Sequence, residues 1–225
     1  MEPESPAAPP APIVRRTWVY LLLEILVNVV CLTCFRARIR GREHVPRSGG
    51  VLIVANHQSF IDIPLVSTGA RRHVCFVARD SLAQARWLGY VMRRCGAVLI
   101  RRGRADRRAL EDMVAHLSAG DAVAIFPEGT RSRDGRVGPF RGGFQLVAKR
   151  AGVPILPAGI QGTYDAWPRS RRWPRLRRIS LSFGEPLDPG SADAPERVRA
   201  SILRLVGEGG PDCSEPEEAA RSVDQ

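Results

Sequence analysis

Short apolar runs alternate along this chain with amphipathic segments. Val51–Ala55 (VLIVA) is uninterrupted between the turn at Pro46–Gly50 and the polar pair Asn56–His57. A bounded run of that length predicts a strand buried on both faces. Similar runs at His73–Arg79, Ala97–Arg101, Ala122–Phe126, Ile155–Gly162 and Ile179–Phe183 predict further strands, with a short one at Arg36–Gly41. Helical segments lie between them. One follows Ser59, a capping residue, through Phe60, Ile61, Asp62 and Ile63 to end near Gly69. A second is capped by Asp80 and carries Leu82, Trp87, Leu88 and Val91. Ala105–Ala119 is amphipathic, with Leu110, Met113, Val114 and Leu117 on one face and Gly120 at its stop. Gly142–Arg150 and Pro195–Val206 complete the set. Strands alternating with helices predict an α/β fold, a mostly parallel or mixed sheet flanked by helices. Pro154 and Pro157 predict that the VPILP strand lies at an edge or is bulged, with the run lining an apolar channel.

The ends of the chain read differently. Residues 1–12 are rich in Pro, Ala and Glu and are expected to be disordered; they lack the basic start of a secretory signal. Residues 13–35 are expected to form a membrane-associated helix. The apolar stretch 17–35 approaches the ~20 residues that cross a hydrocarbon core. Glu24 and Asn28, four apart, share one of its faces, and a mid-bilayer carboxylate is costly. A helix half sunk in one leaflet, or docked on the domain by its polar stripe, fits better than a free span. Arginines on both flanks give no orientation. Residues 36–206 form the domain, and the polar tail 207–225 is expected to be disordered.

Charge narrows the partners. The 225 residues carry a net charge of +11, almost all from arginine, since Lys149 is the only lysine. Such an excess points to nucleic acid, an anionic membrane surface or a phosphorylated substrate. No DNA- or RNA-binding motif is present, so nucleic acid is not expected. The loop 168–178 (PRSRRWPRLRR) sets arginines around Trp167 and Trp173, which suits an anionic membrane surface. The five cysteines form no disulfide framework and read as reduced thiols. Cys31 and Cys34 make a C-x-x-C in an apolar run with no second pair, so neither metal nor redox chemistry is expected there.

The candidate chemistry sits where strands end. His57 follows the Val51–Ala55 strand, and Asp62 lies five residues on, in the next helix. Ligand sites of open α/β sheets form at that edge. A His and a carboxylate facing each other there fit a general base and its orienting partner, acting on a substrate hydroxyl. Amides at the start of the Ser59 helix are candidates for holding an oxyanion. A second block, Phe126–Ser132 (FPEGTRS), leaves another strand. Gly129 permits close backbone approach, Thr130 offers a hydroxyl and Arg131 a phosphate-binding guanidinium. Glu128 suits a hydroxyl donor, so the block fits a ligand bearing both phosphate and hydroxyl. A third block, GAVLIRR, ends in Arg101 and Arg102.

NHQSFID, GAVLIRR, FPEGTRS and VPILP, in that order, resemble the four motif blocks of the glycerolipid acyltransferase family, whose type members are 1-acylglycerol-3-phosphate acyltransferases. The likeness covers residues 36–185. It implies the glycerol-phosphate acyltransferase fold with an N-terminal apolar membrane helix. It implies that His57 and Asp62 are the catalytic H-x-x-x-x-D pair and that Arg102, Glu128, Gly129, Thr130 and Arg131 bind the acceptor. The implied reaction moves an acyl chain from acyl-CoA or acyl-carrier protein to the sn-2 hydroxyl of 1-acyl-glycerol-3-phosphate, giving phosphatidic acid. A lyso-ornithine lipid or another lysolipid is the alternative acceptor. No cofactor and no metal are implied. The implied site of action is the cytoplasmic face of the cell membrane, in a bacterium the inner membrane.

Overall fold

The computed structural model describes residues 25–79, 98–100 and 107–208. Seven strands form one sheet in the order β1-β7-β6-β2-β5-β3-β4. They are β1 (Arg38–Arg40), β2 (Val51–Ala55), β3 (Val74–Arg79), β4 (Val98–Ile100), β5 (Ala122–Ile125), β6 (Ile155–Gln161) and β7 (Ser180–Phe183). All neighbouring pairs are parallel except β6 and β7, which are antiparallel. The sheet is therefore mixed: five strands run one way, and β7 and β1 run the other. Among the described residues the helices of the domain are α1 (Asp62–Ala70), α2 (Arg107–Ser118), α3 (Phe144–Ala151), the single turn α4 (Thr163–Ala166) and α5 (Ala194–Glu208), apart from the helical segment before β1.

Alternation along β2 sorts the core into two layers, because successive side chains leave a strand on opposite faces. Val51, Ile53 and Ala55 pack with Leu65, Val66 and Ala70 of α1 and with Phe35 and Phe183. Leu52 and Val54 pack with Met113 and Leu117 of α2, Val147 of α3 and Ile202 of α5. All five β2 residues are fully buried, as the continuous apolar run requires. On β6, Gly159 is obligatory: a Cβ there would stand 2.6 Å from Leu205 Cβ, so α5 packs directly on the strand's backbone.

Five expectations are corrected. The helix after Ser59 begins only at Asp62, because the Asp62 carboxylate turns back to bind the amides of Gln58 and Ser59. The helix expected from Gly142 begins at Phe144, since Gly143 holds φ +106°, outside the helical region. VPILP is neither an edge nor a channel wall: β6 lies between β2 and β7, and Val153, Ile155 and Leu156 are core. Nor is the strand itself bulged: β6 pairs with β2 without interruption from Ile155 to Ala158. Ala158 pairs with Phe183 while Ile155 bridges Leu187, so the extra residue lies on the facing segment. The Pro157 carbonyl accepts from Gly184 N.

The fourth concerns the N-terminal apolar run. Residues 25–29 are helical and Val30–Cys34 continue as a π turn, closed by Phe35 N–H to Val30 O. Cys31 and Phe35 are buried, whereas Ile25, Leu26, Val29, Val30 and Leu32 are exposed. The segment thus docks on the domain by a narrow stripe and turns its apolar side outward. Among the described residues no helix is long and apolar enough to cross a membrane. Residues 17–24 of the run lie outside them, as do the Asp80-capped segment, Arg101, Arg102, residues 1–12 and residues 209–225; Gly207 and Glu208, expected to open the disordered tail, are instead the last residues of α5.

Candidate active site

Register builds the site. β2 pairs with β5 so that Val54 lies beside Ile125, where β5 ends and one residue before β2 does. The chain leaving β2 therefore runs beside the chain leaving β5. His57 comes to rest on Phe126, ring on ring, with centroids 4.1 Å apart and planes 16° from parallel. That stacking fixes the plane of the imidazole. Asp62 Oδ2 fixes its rotation, 2.8 Å from His57 Nδ1. The same oxygen accepts the Gln58 N–H at 2.6 Å and the Ser59 N–H at 2.7 Å. Asp62 is fully buried and the His57 side chain is 15% exposed, so the carboxylate lies behind the ring and the open side of the ring faces out. An Asp62 acceptor makes Nδ1 the protonated nitrogen and leaves Nε2 as the base. Nε2 has no hydrogen bond among the described residues.

Among the helix-start amides proposed for an oxyanion, those of Gln58, Ser59 and Ile61 already have acceptors within the loop. Gln58 and Ser59 donate to Asp62, and Ile61 N–H donates to Ser59 Oγ at 3.3 Å.

The FPEGTRS loop is sewn to the His57 loop through backbone. His57 N–H donates to Glu128 Oε1 at 3.2 Å, and Ser132 N–H donates to the His57 carbonyl at 2.7 Å. Glu128 is buried and also accepts a backbone hydrogen bond from Gly138. Burial pushes its carboxyl up from 4.5 to about 7, against the lowering effect of those two hydrogen bonds; nearby Asp62 and Asp134 add to the rise. Its partners thus lie within the protein. Gly129 takes φ +66°, and a side chain there would meet the Arg141 guanidinium at 3.3 Å. Thr130 is exposed. Arg131 lies with Cζ 3.8 Å over the Phe60 ring, and Phe60 is 45% exposed. The structure therefore gathers His57, Asp62, Glu128, Gly129, Thr130 and Arg131 at one mouth; Arg102 lies outside the described residues.

Several supporting residues went unread in the sequence. Asn56, buried, donates to Ile160 O at 2.8 Å and accepts Ile160 N–H at 2.7 Å, extending β2 by one side-chain amide. Gln58 Nε2 donates to Gly135 O, and Thr163 Oγ1 donates to Gln58 Oε1. Tyr164 Oη donates to Arg133 O. Ser59 Oγ donates to Trp167 O at 2.7 Å, which joins the site to the arginine-rich loop. Their partners lie up to 108 positions away, and the only local signal was a run of polar residues after an apolar strand.

A family model described as acyltransferase matches residues 36–161, more than half of the chain. A chloroplastic 1-acyl-sn-glycerol-3-phosphate acyltransferase of Brassica napus is 32% identical over 158 residues, covering 68% of this chain and 45% of that protein. One from Chlamydomonas reinhardtii is 34% identical over 187 residues, 77% of this chain and 55% of its own. This chain spans about half the length of these curated relatives. The crystal structure of the 1-acyl-sn-glycerophosphate (LPA) acyltransferase PlsC from Thermotoga maritima superposes with a TM-score of 0.75 at 30% identity, covering 87% of this chain and 82% of that one. Matched through its β1–β6 core and both loops of the His57 mouth, the chain belongs to the acyltransferase family.

Proposed function

We propose that this protein transfers an acyl chain from a thioester, acyl-CoA or acyl-carrier protein, to the free hydroxyl of 1-acyl-glycerol-3-phosphate, giving phosphatidic acid. The observation that carries the reading is the 2.8 Å contact between His57 Nδ1 and Asp62 Oδ2, which turns Nε2 outward as a base. The names of the relatives support the acceptor. In this reading His57 Nε2 takes the acceptor's hydroxyl proton as the oxygen attacks the thioester carbonyl. The C–O bond forms, the C–S bond breaks, and the imidazolium returns its proton to the leaving thiolate. The thioester is already activated, so placing two substrates beside one base supplies much of the rate. Arg131 binds the acceptor phosphate and Thr130 lies beside it. Arg102 is proposed as a second phosphate ligand on the strength of its motif. The enzyme works at the cytoplasmic face of the cell membrane, held by its outward apolar segment and arginine-rich loop.

The test is acyl transfer by detergent-solubilised protein, wild type beside His57→Ala, with lysophosphatidic acid and a lyso-ornithine lipid offered separately and both donor types supplied. Transfer to lysophosphatidic acid that disappears in a folded mutant is expected. Transfer only to the phosphate-free acceptor retires the phosphate role of Arg131. A mutant of near-normal activity removes the general base.

A further inference from the structure

The opposite edge of the sheet holds a second polar cluster. Cys75 is the second residue of β3, and His73 precedes it by two positions. His116 lies in the last turn of α2, and Asp121 immediately precedes β5. β3 pairs with β5 so that Cys75 lies beside Val123. The turn between α2 and β5, with Gly120 at φ +87°, brings Asp121 N–H back onto His116 O at 3.0 Å. These steps gather side chains from three elements. Cys75 Sγ stands 3.7 Å from His116 Nδ1 and 3.7 Å from His73 Nδ1. His116 Nδ1 stands 2.9 Å from Asp121 Oδ2. One ligand atom from each of Cys75, His116 and Asp121 lies within 4.8 Å of the others, and Cys75 and Asp121 are buried.

We propose that Cys75, His116 and Asp121 form a three-ligand binding site for a zinc-class divalent cation, with His73 standing beside the thiol. Thiolate, imidazole and carboxylate together suit zinc and exclude magnesium and calcium, which take oxygen ligands. Zinc–sulfur and zinc–nitrogen bonds of ~2.3 and ~2.0 Å at a tetrahedral angle set S and N about 3.6 Å apart. Both sulfur–nitrogen separations here are 3.7 Å. The His116–Asp121 pair is at hydrogen-bond distance and opens by ~0.4 Å to reach tetrahedral spacing. Arg72 is the neighbouring charge. Its guanidinium donates to the carbonyls of Pro46, Gly49 and Gly120 and acts electrostatically on Asp121 and Cys75. As ligands, a Cys75 thiolate and an Asp121 carboxylate together neutralise a divalent ion. The site staples β3, α2 and β5 at the sheet edge away from His57. It is a structural centre with no part in acyl transfer.

The test uses the full chain in detergent, stripped with a chelator, dialysed and titrated with cobalt(II). Saturation at about one equivalent per chain is expected, with thiolate-to-cobalt charge-transfer absorption and tetrahedral d–d bands that zinc bleaches. Cys75→Ser loses the charge-transfer band. His116→Ala weakens binding by more than the roughly 10–100-fold typical of losing an outer-shell partner. Cys31→Ser and Cys34→Ser keep the spectrum, and zinc raises the melting temperature of wild type. Wild type without a charge-transfer band overturns the proposal, as does a band that survives in Cys75→Ser. The wild-type spectrum alone decides if a variant fails to fold.

Discussion

The backbone N–H of His57 donates to Glu128 Oε1 over 3.2 Å, so the loop bearing the base is held by a buried carboxyl of the neighbouring loop. That carboxyl titrates at about 7 in the folded protein against an ordinary 4.5. Between those values the folded chain binds more protons than the unfolded one. This contribution to stability is therefore full below pH 4.5 and is lost as pH rises to 7. The penalty at pH 8 is about 3 kcal/mol, order of magnitude, at 1.36 kcal/mol per unit. Glu128→Gln keeps an acceptor for His57 N–H and cannot ionise. Urea unfolding at pH 5 and pH 8 should show the stability difference shrinking by up to that amount in the variant. An unchanged difference rejects this account of Glu128.

Asp62 Oδ2 accepts N–H groups from His57, Gln58 and Ser59 together. Asn in its place keeps one neutral oxygen for the three donors and sets its NH2 where Oδ1 has no hydrogen-bond partner. The imidazole then loses its counter-charge, which stabilises the imidazolium. Asp62→Asn should lower kcat on the order of 10²–10⁴-fold with the acceptor KM little changed. Single-turnover kinetics on folded variant check this; a fall confined to KM contradicts it.

Arg131, stacked over Phe60 at the site's mouth, is assigned to the acceptor phosphate. A hydrogen bond to a charged group contributes ~1.5–3 kcal/mol, so Arg131→Ala should raise the acceptor KM about 10–100-fold. The donor KM should not move. Arg131→Lys should recover only part of the loss, because a lysine cannot bind phosphate in bidentate fashion. Steady-state kinetics with each substrate varied separately distinguish these outcomes.

Six of the seven strands were legible because each is a bounded apolar run (β1, Arg-Ile-Arg, is not), and the His57–Asp62 pair because five positions across a strand–helix turn bring the two together. What depended on the other side of the sheet was not. Phe126 becomes the floor under His57 only through the pairing of β2 with β5. Glu128 ties the two loops through its backbone donors, His57 and Gly138, and no local pattern in the sequence announced those bonds. Pro154 and Pro157 suggested an edge or bulged strand, but β6 is interior and unbroken against β2, and the extra residue lies on the facing segment. Cys75, His116 and Asp121 show no metal spacing in the sequence and meet only when β3 pairs with β5.

Asn56 extends the β2–β6 ladder with its side chain, accepting and donating to the main chain of Ile160. Asn56→Ala strands a buried N–H and a buried C=O, at ~1–3 kcal/mol each. Loss of about 2–5 kcal/mol is expected, seen as a lower urea midpoint at unchanged slope. Asn56→Asp should be no better, since its second oxygen would face the Ile160 carbonyl. A midpoint within error of wild type removes Asn56 as a tie.

Exposed large apolar side chains gather in two segments, Ile25–Leu32 and Trp173–Leu176, with Trp173 71% and Leu176 74% exposed. The stretches of chain that follow the two segments are joined by the Ile179 N–H, which donates to Phe35 O. Asp165, Arg175, Leu176, Arg177 and Arg178 line an open cleft of about 630 Å³. Apolar side chains flanked by arginines match an anionic bilayer surface, where each cationic side chain contributes ~1 kcal/mol. Replacing Arg172, Arg175 and Arg177 together with Gln should therefore weaken partitioning onto phosphatidylglycerol vesicles about 100-fold at low salt. Wild-type binding should fall steeply with ionic strength, and Trp173→Ala should lower it at every salt concentration. Binding indifferent to salt and to the three substitutions would show that the loop does not touch the membrane and that the N-terminal apolar segment acts alone.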